Sequence, residues 1–177
     1  MNTKRLLSFY SGIIGLILLS SVIPSFAMKG ALAGKVMQVK DGDTVVISPE
    51  EGGQFFICRL YGIDTPETAK RGKPGQPYGE EASKETKRLI LGQTVHVTTT
   101  GAKTYNREVC HIERNNIDIN LEMVKRGYAW AYKQYLKRPY ASEYIEAENE
   151  ARKQRLGLWK DINPTPPWEF RKILRSR

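Results

Sequence analysis

Short runs rich in β-branched residues, broken by turn sequences, fill the first half of the chain, and helical spacing takes over in the second. Residues 35–40 and 44–48 predict two strands, and Asp41-Gly42 between them is a strong hairpin signal. Pro49 to Gly53 reads as a second turn and residues 54–61 as a third strand. Residues 62–79 predict a long loop rich in Pro, Gly and Lys, a kind that in a compact domain usually serves function or moves. From 80 to 91 the apolar spacing turns helical: Ala82, Thr86, Leu89 and Ile90 share a face, and Gly92 stops the helix. Residues 94–100 and 107–113 predict a fourth and fifth strand, with Asn115-Asn116 as the next turn. Asn120 is expected to cap a short helix whose inner face is Met123 and Val124 and whose end is Gly127. Residues 142–156 predict a third helix, with Tyr144, Ala147 and Ala151 inward and Gly157 at its end; Leu158 and Trp159 fold back on it. The tail, from about residue 160 to 177, is Pro-rich and then basic, and there are no internal repeats. Five strands with three α-helices predict an α+β fold, closed most economically as a five-stranded OB-type β-barrel.

The first 27 residues stand apart. Lys4 and Arg5 precede an uncharged apolar stretch from Leu6 to Pro24, and Ser25-Phe26-Ala27 carries small residues where a signal peptidase reads. The pattern predicts a signal peptide over 1–27; an uncleaved membrane anchor is the other reading, because the stretch approaches the ~20 residues that span a bilayer. Residues 28–177 then form a single domain, exported to the periplasm or secreted, with no stable membrane association after cleavage. The whole chain has 28 Lys and Arg against 19 Asp and Glu, a net charge of +9; loss of Lys4 and Arg5 leaves +7. A basic exported domain points to a polyanionic partner such as nucleic acid, anionic lipid or polysaccharide. The two cysteines, Cys58 and Cys110, are open to two readings, a disulfide between paired strands or two buried thiols. A zinc site is disfavoured, since Cys58, Cys110, His96 and His111 lack ligand-pair spacing.

The chemistry-bearing residues fall in three clusters: Asp43-Thr44, Arg59 with Asp64-Thr65-Pro66-Glu67, and Tyr105-Asn106-Arg107. Carboxylate oxygens suit a hard cation, and arginine forks suit phosphate oxygens. Asp43 and Asp64, with the Thr65 carbonyl, are the expected metal ligands, though either segment alone is also plain turn sequence. Asp41 is either a turn residue or a partner that tunes Asp43. Pro66 pins the backbone before Glu67, a carboxylate that can orient or deprotonate an attacking water. Arg59 and Arg107 would grip the phosphate, although each alone also reads as a surface-strand arginine. Tyr105 shares the Arg107 face by strand parity and can donate to phosphate or stack on a base. Tyr128, Trp130, Tyr132 and Tyr135 lie among Lys133, Lys137 and Arg138, a mixture that suits single-stranded nucleic acid, and about half of it is expected in the core. Tyr135 is the expected exposed stacker, and Lys70, Arg71 and Lys73 are an expected electrostatic guide for substrate.

Over residues 35–159 these motifs resemble the staphylococcal nuclease (thermonuclease) family. The resemblance rests on Asp41-Gly-Asp-Thr44, Arg59-Leu-Tyr-Gly-Ile-Asp-Thr-Pro-Glu67, Tyr78-Gly-Glu-Glu-Ala82, Tyr105-Asn-Arg107 and Leu156-Gly-Leu-Trp159. The closing Pro-Pro-Trp-Glu-Phe-Arg is similar to tails of exported bacterial members. The resemblance implies an OB-type barrel, one Ca²⁺ held by Asp43, Asp64 and the Thr65 carbonyl, and Arg59, Glu67 and Arg107 as catalytic residues. It also implies cleavage of DNA and RNA with little sequence preference, leaving 3′-phosphate ends, with Tyr105 and Tyr135 on the nucleotide. A monomer acting on single-stranded or frayed nucleic acid is expected. Two departures stand out. Asn106 replaces the family's usual Gly, and because Asn tolerates a left-handed backbone better than most residues the turn is expected to survive; Lys103-Thr104 replaces the usual acidic residue before the Tyr. The competing readings are a non-catalytic OB-type nucleic-acid-binding module and a basic protein that binds an anionic surface through its tail; the latter leaves Asp-Thr-Pro-Glu unexplained.

Overall fold

A computed structural model describes residues 31–176, so the expected signal peptide lies outside the described residues. Strands β1 (Ala31–Asp41) and β2 (Thr44–Pro49) form the expected hairpin. Asp41 pairs with Thr44, which leaves Gly42-Asp43 as the two-residue turn. A register irregularity between Val36 and Gln38 shifts side-chain parity, so Val36 and Val39 both face the core and Asp41 follows them inward. β3 (Phe56–Leu60) pairs antiparallel with β2. β5 (Thr94–Thr104) and β6 (Arg107–Arg114) form a second long hairpin, and β5 pairs with β1. The sheet order is β3-β2-β1-β5-β6, and β3 also meets β6 in parallel, which brings the ends of the curled sheet together in the OB-type arrangement. β7 (Ile117–Asp118) extends the β6 edge after the Asn115-Asn116 turn, where both residues have positive φ.

The barrel interior is filled by Val36, Val45, Ile47, Leu60, Val97 and Ile112, all at most 1% exposed. Three helices seal it: α1 (Gly79–Ile90), α2 (Ile119–Lys125) and α3 (Tyr140–Lys153). They contribute Ile90, Met123 and Tyr144 to the same core. Cys58 and Cys110 are joined as a disulfide, both fully buried, with Cα atoms 5.9 Å apart. Among the described residues no helix is long and apolar enough to cross a membrane.

Four details differ from the sequence expectation. The long loop is interrupted by β4 (Ile63–Asp64), which pairs with β8 (Trp130–Ala131) in a small second sheet. The cap of α2 is Asp118, whose side chain accepts from the Leu121 N–H at 3.0 Å; Asn120 is inside the helix and buried. The tail forms a fourth helix, α4 (Pro167–Arg175), where three helices were expected. It begins after Pro166, and Pro167 suits a first turn whose N–H would be unpaired anyway. In the β5–β6 turn the left-handed residue is Tyr105, at φ 57°, and Asn106 is not at positive φ.

Candidate active site

Asp43 is held by its turn. Gly42 lies so close to its neighbours that a Cβ there would sit 2.8 Å from Thr65 Oγ1 and 3.0 Å from the Ala82 Cβ, so only glycine lets the turn pack between the β4 loop and α1. Thr86 of α1 donates to the Gly42 carbonyl at 2.7 Å, and the Leu60 N–H donates to the Asp43 carbonyl at 2.8 Å. The Asp43 carboxylate then accepts from Thr44 Oγ1 at 2.9 Å and from the Thr65 N–H at 3.1 Å, which ties the first motif to the second.

Arg59, on β3, spans both expected metal ligands. Its Nη1 donates to Asp43 Oδ1 at 2.6 Å and its Nη2 to Asp64 Oδ1 at 2.7 Å. Asp64 is fully buried on β4, whose partner β8 is fixed from behind. There Glu148 of α3, itself 2% exposed, accepts from the Ala131 N–H at 2.7 Å and pairs with Arg152, whose guanidinium lies 3.8 Å from the Trp159 ring centroid. Burial pushes Asp43 up, but the Arg59 guanidinium and the Thr65 N–H outweigh it and hold the carboxyl below its ordinary value. Burial raises Asp64, the Asp43 charge adds to that, and Arg171 and Arg59 oppose it. Burial, with the Asp43 charge, pushes Asp41 up to about 6. Asp41 accepts from the Asp43 N–H at 3.4 Å and from Lys70 Nζ at 3.3 Å, the geometry of a partner to the turn.

Asp41, Asp43 and Arg59 open onto a cleft of about 1050 Å³, whereas Asp64, fully buried behind Arg59, does not line it. Asp43, Arg59, Thr65, Glu67, Lys70, Tyr105, Arg107 and Tyr135 all line it, so three remote segments do converge. Tyr105 is 92% exposed; in the aromatic cluster Tyr135 is 55% exposed, as expected, but only Trp130 is buried, with Tyr128 and Tyr132 half-buried, where about half was expected in the core. Arg107 forms no ion pair among the described residues; only its Nε reaches the Thr104 carbonyl, at 3.4 Å. Arg71 is exposed and does not line the cleft.

Sequence reasoning missed two participants. Arg171 of α4 reaches into the cleft: its Nη2 donates to Asp64 Oδ2 at 2.7 Å and its Nη1 to Asp64 Oδ1 at 3.0 Å and to Glu67 Oε1 at 2.8 Å. Gln76, buried, accepts from the Glu67 N–H at 3.3 Å through Oε1 and donates through Nε2 to the Thr165 carbonyl, joining the Glu67 loop to the tail. A basic residue in a Pro-rich tail carries no local signal of such a contact.

The donors fit a hard divalent cation. Asp43 and Asp64 offer anionic oxygens brought within the span of one guanidinium, and positive groups already crowd them. No cluster of three or more His, Cys, Asp or Glu able to hold a metal occurs among the described residues, so a backbone carbonyl and oxygens of water or substrate would have to complete the shell, leaving the site open.

Paired buried acids and guanidinium forks beside a basic aromatic cleft at an OB-type barrel are groups of the kind that a nucleic-acid-cleaving hydrolase needs. The family model described as staphylococcal nuclease homologue matches residues 57–161, and the chain belongs to that family. The match starts in β3, so the hairpin bearing Asp43 precedes it. A micrococcal nuclease of Shigella flexneri is 32% identical over 182 residues, covering 98% of this chain and 98% of its own. An uncharacterized endonuclease of Haemophilus influenzae is 33% identical over 161 residues, 88% of this chain and 85% of its own. The staphylococcal-like nuclease CAN1 of Arabidopsis thaliana is 40% identical over 121 residues, 68% of this chain and 35% of its own. The chain thus spans nearly the whole of the Shigella relative and about a third of the plant one. This protein is a nuclease, and its substrates are nucleic acids.

Proposed function

We propose that this protein is an exported, monomeric, calcium-dependent endonuclease that cleaves single-stranded or frayed DNA and RNA with little sequence preference and leaves 3′-phosphate ends. The observation that carries this reading is Arg59 bridging Asp43 and Asp64 beside Glu67, in a cleft that also presents Arg107. Asp43, Asp64 and the Thr65 carbonyl would hold one Ca²⁺, which when bound supplies electrostatic stabilisation of the phosphate. Glu67 positions a water molecule and accepts a proton from it as its oxygen attacks phosphorus in line. The bond between phosphorus and the 5′ oxygen breaks, that oxygen takes a proton from solvent and leaves as a hydroxyl, and the phosphate stays on the 3′ oxygen. Arg59 and Arg107 neutralise the charge that grows on the phosphoryl oxygens. Tyr105 and Tyr135, both exposed at the cleft, stack on bases, and Lys70 guides the strand.

Export is supported by the leader pattern of residues 1–27 and by the Cys58–Cys110 disulfide, a bond typical of oxidising compartments. The test is cleavage of end-labelled DNA and RNA oligonucleotides in calcium, with the product ends identified by phosphatase sensitivity. Internal cuts carrying 3′-phosphates are expected. Retarded mobility without cleavage would instead make this a non-catalytic binding module.

A further inference from the structure

Two guanidiniums that line the cleft, Arg59 and Arg171, meet on one fully buried carboxylate, Asp64. Arg59 takes Asp64 Oδ1, and Arg171 takes both Oδ1 and Oδ2 and reaches on to Glu67. Asp64 Oδ2, the oxygen Arg59 leaves free, is thereby occupied. A divalent cation bonds carboxylate oxygen at about 2.3–2.6 Å, and a guanidinium at 2.7 Å on that same oxygen stands in its path. Arg171 also occupies Glu67 Oε1, at 2.8 Å.

The helix that carries Arg171 is short. α4 has nine residues, below the ~12–15 at which an isolated helix becomes even marginally stable in water, so its helicity depends on docking. Its attachments are few. Trp168 stacks on Tyr132, with centroids 5.2 Å apart and planes 3° off parallel, and meets the Trp130 edge at 5.5 Å. Gln76 holds the Thr165 carbonyl just ahead of the helix. Lys172 is exposed, and Arg175, also exposed, lines the cleft with Trp168 and Arg171.

We propose that α4 is a displaceable plug: Arg171 occupies the cation and water positions at Asp64 and Glu67, and calcium binds only as the helix withdraws. This rests on the metal role proposed above for Asp64. Withdrawal also frees Tyr132 and the cleft wall next to Tyr135 for a base.

The test is calorimetric titration of calcium chloride into the metal-free full chain, read in parallel by tryptophan fluorescence. Arg171→Gln is expected to bind calcium ~10-fold tighter or more, because the fraction of competent molecules rises. Trp168→Ala loosens the same helix without touching a carboxylate and is expected to tighten binding in the same direction. In the unaltered protein calcium should change the fluorescence with the calorimetric midpoint, a change that Trp168→Ala lacks. Equal or weaker binding by both variants, each melting cooperatively, would overturn the plug while leaving the metal site standing. Calcium binding to Asp64→Asn as tight as to the unaltered chain would instead remove the metal site, and the plug with it.

Discussion

Arg107 and Glu67 separate chemistry from stability at the level of single residues. Arg107 lines the cleft and forms no ion pair among the described residues, so Arg107→Ala should melt like the unaltered protein yet cleave ~10²–10³-fold more slowly. Glu67→Gln keeps the shape and the backbone bonds to Gln76 while removing the charge, and should likewise lose activity without unfolding. Melting curves beside single-turnover rates check both; unchanged turnover in either variant would take that residue out of the reaction. The placement of these two at the cleft with Asp43 and Arg59, and of Asp64 beside them, was legible in the sequence because each lies in a short motif whose chemistry is local. Arg171 and Gln76 were not, because their partners lie 107 and 89 residues away, at Asp64 and Thr165. Nor was the φ of Tyr105: residue preference pointed to Asn106 next to it, and the hairpin put the positive φ on the first turn position.

Asn120 and His111 act through the elements they join. Asn120, fully buried at the start of α2, accepts from the Ile112 N–H at 3.1 Å and donates to the Tyr61 and Cys110 carbonyls at 3.0 Å each, tying the end of β3 to β6. Asn120→Ala strips a bond from each of these three groups; the Cys110 carbonyl keeps the Tyr61 N–H at 2.7 Å, while the Ile112 N–H and the Tyr61 carbonyl lose this partner at a cost of about 1–3 kcal/mol for a group left unsatisfied, which denaturant unfolding should register. His111 of β6 lies between Tyr61 and Tyr140, 4.4 Å from each ring centroid. Burial lowers its pKa from 6.5, with the Asp118 charge opposing. The unfolded chain therefore takes up a proton on His111 more readily than the folded one. Its contribution to stability is whole above pH 6.5 and is lost as pH falls through the lower folded value. His111→Phe should flatten the fall in stability between neutral and mildly acid pH; an identical pH slope in the variant would contradict this. Hairpins and helices were read from residue spacing within a few residues of their ends. β4 and β8 were missed because two-residue strands have no period to detect, and α4 because its Pro-rich approach masks a short helix.

At the scale of the molecule, strand order turns separate motifs into one site. β3 lies between β2 and β6, which brings Arg59 and Asp43 to the same mouth as Arg107, and the β4–β8 pair lowers Asp64 beside them. The OB-type closure was legible from five strands and their turns, whereas the covering of the cleft by the tail was not, since it depends on which surface the last helix meets. The net charge of +9 over the chain fits a polyanionic substrate, and the convergence of acids and guanidiniums is the feature on which the proposed mechanism of cleavage rests. The most direct measurement is the rate of cleavage of a single-stranded oligonucleotide against calcium concentration, for the unaltered protein and for Asp43→Asn. The account predicts saturable dependence on calcium, loss of activity with a chelator, and a variant that folds but cleaves orders of magnitude more slowly at every calcium concentration. Cleavage that persists in chelator, or that Asp43→Asn leaves intact, would contradict it.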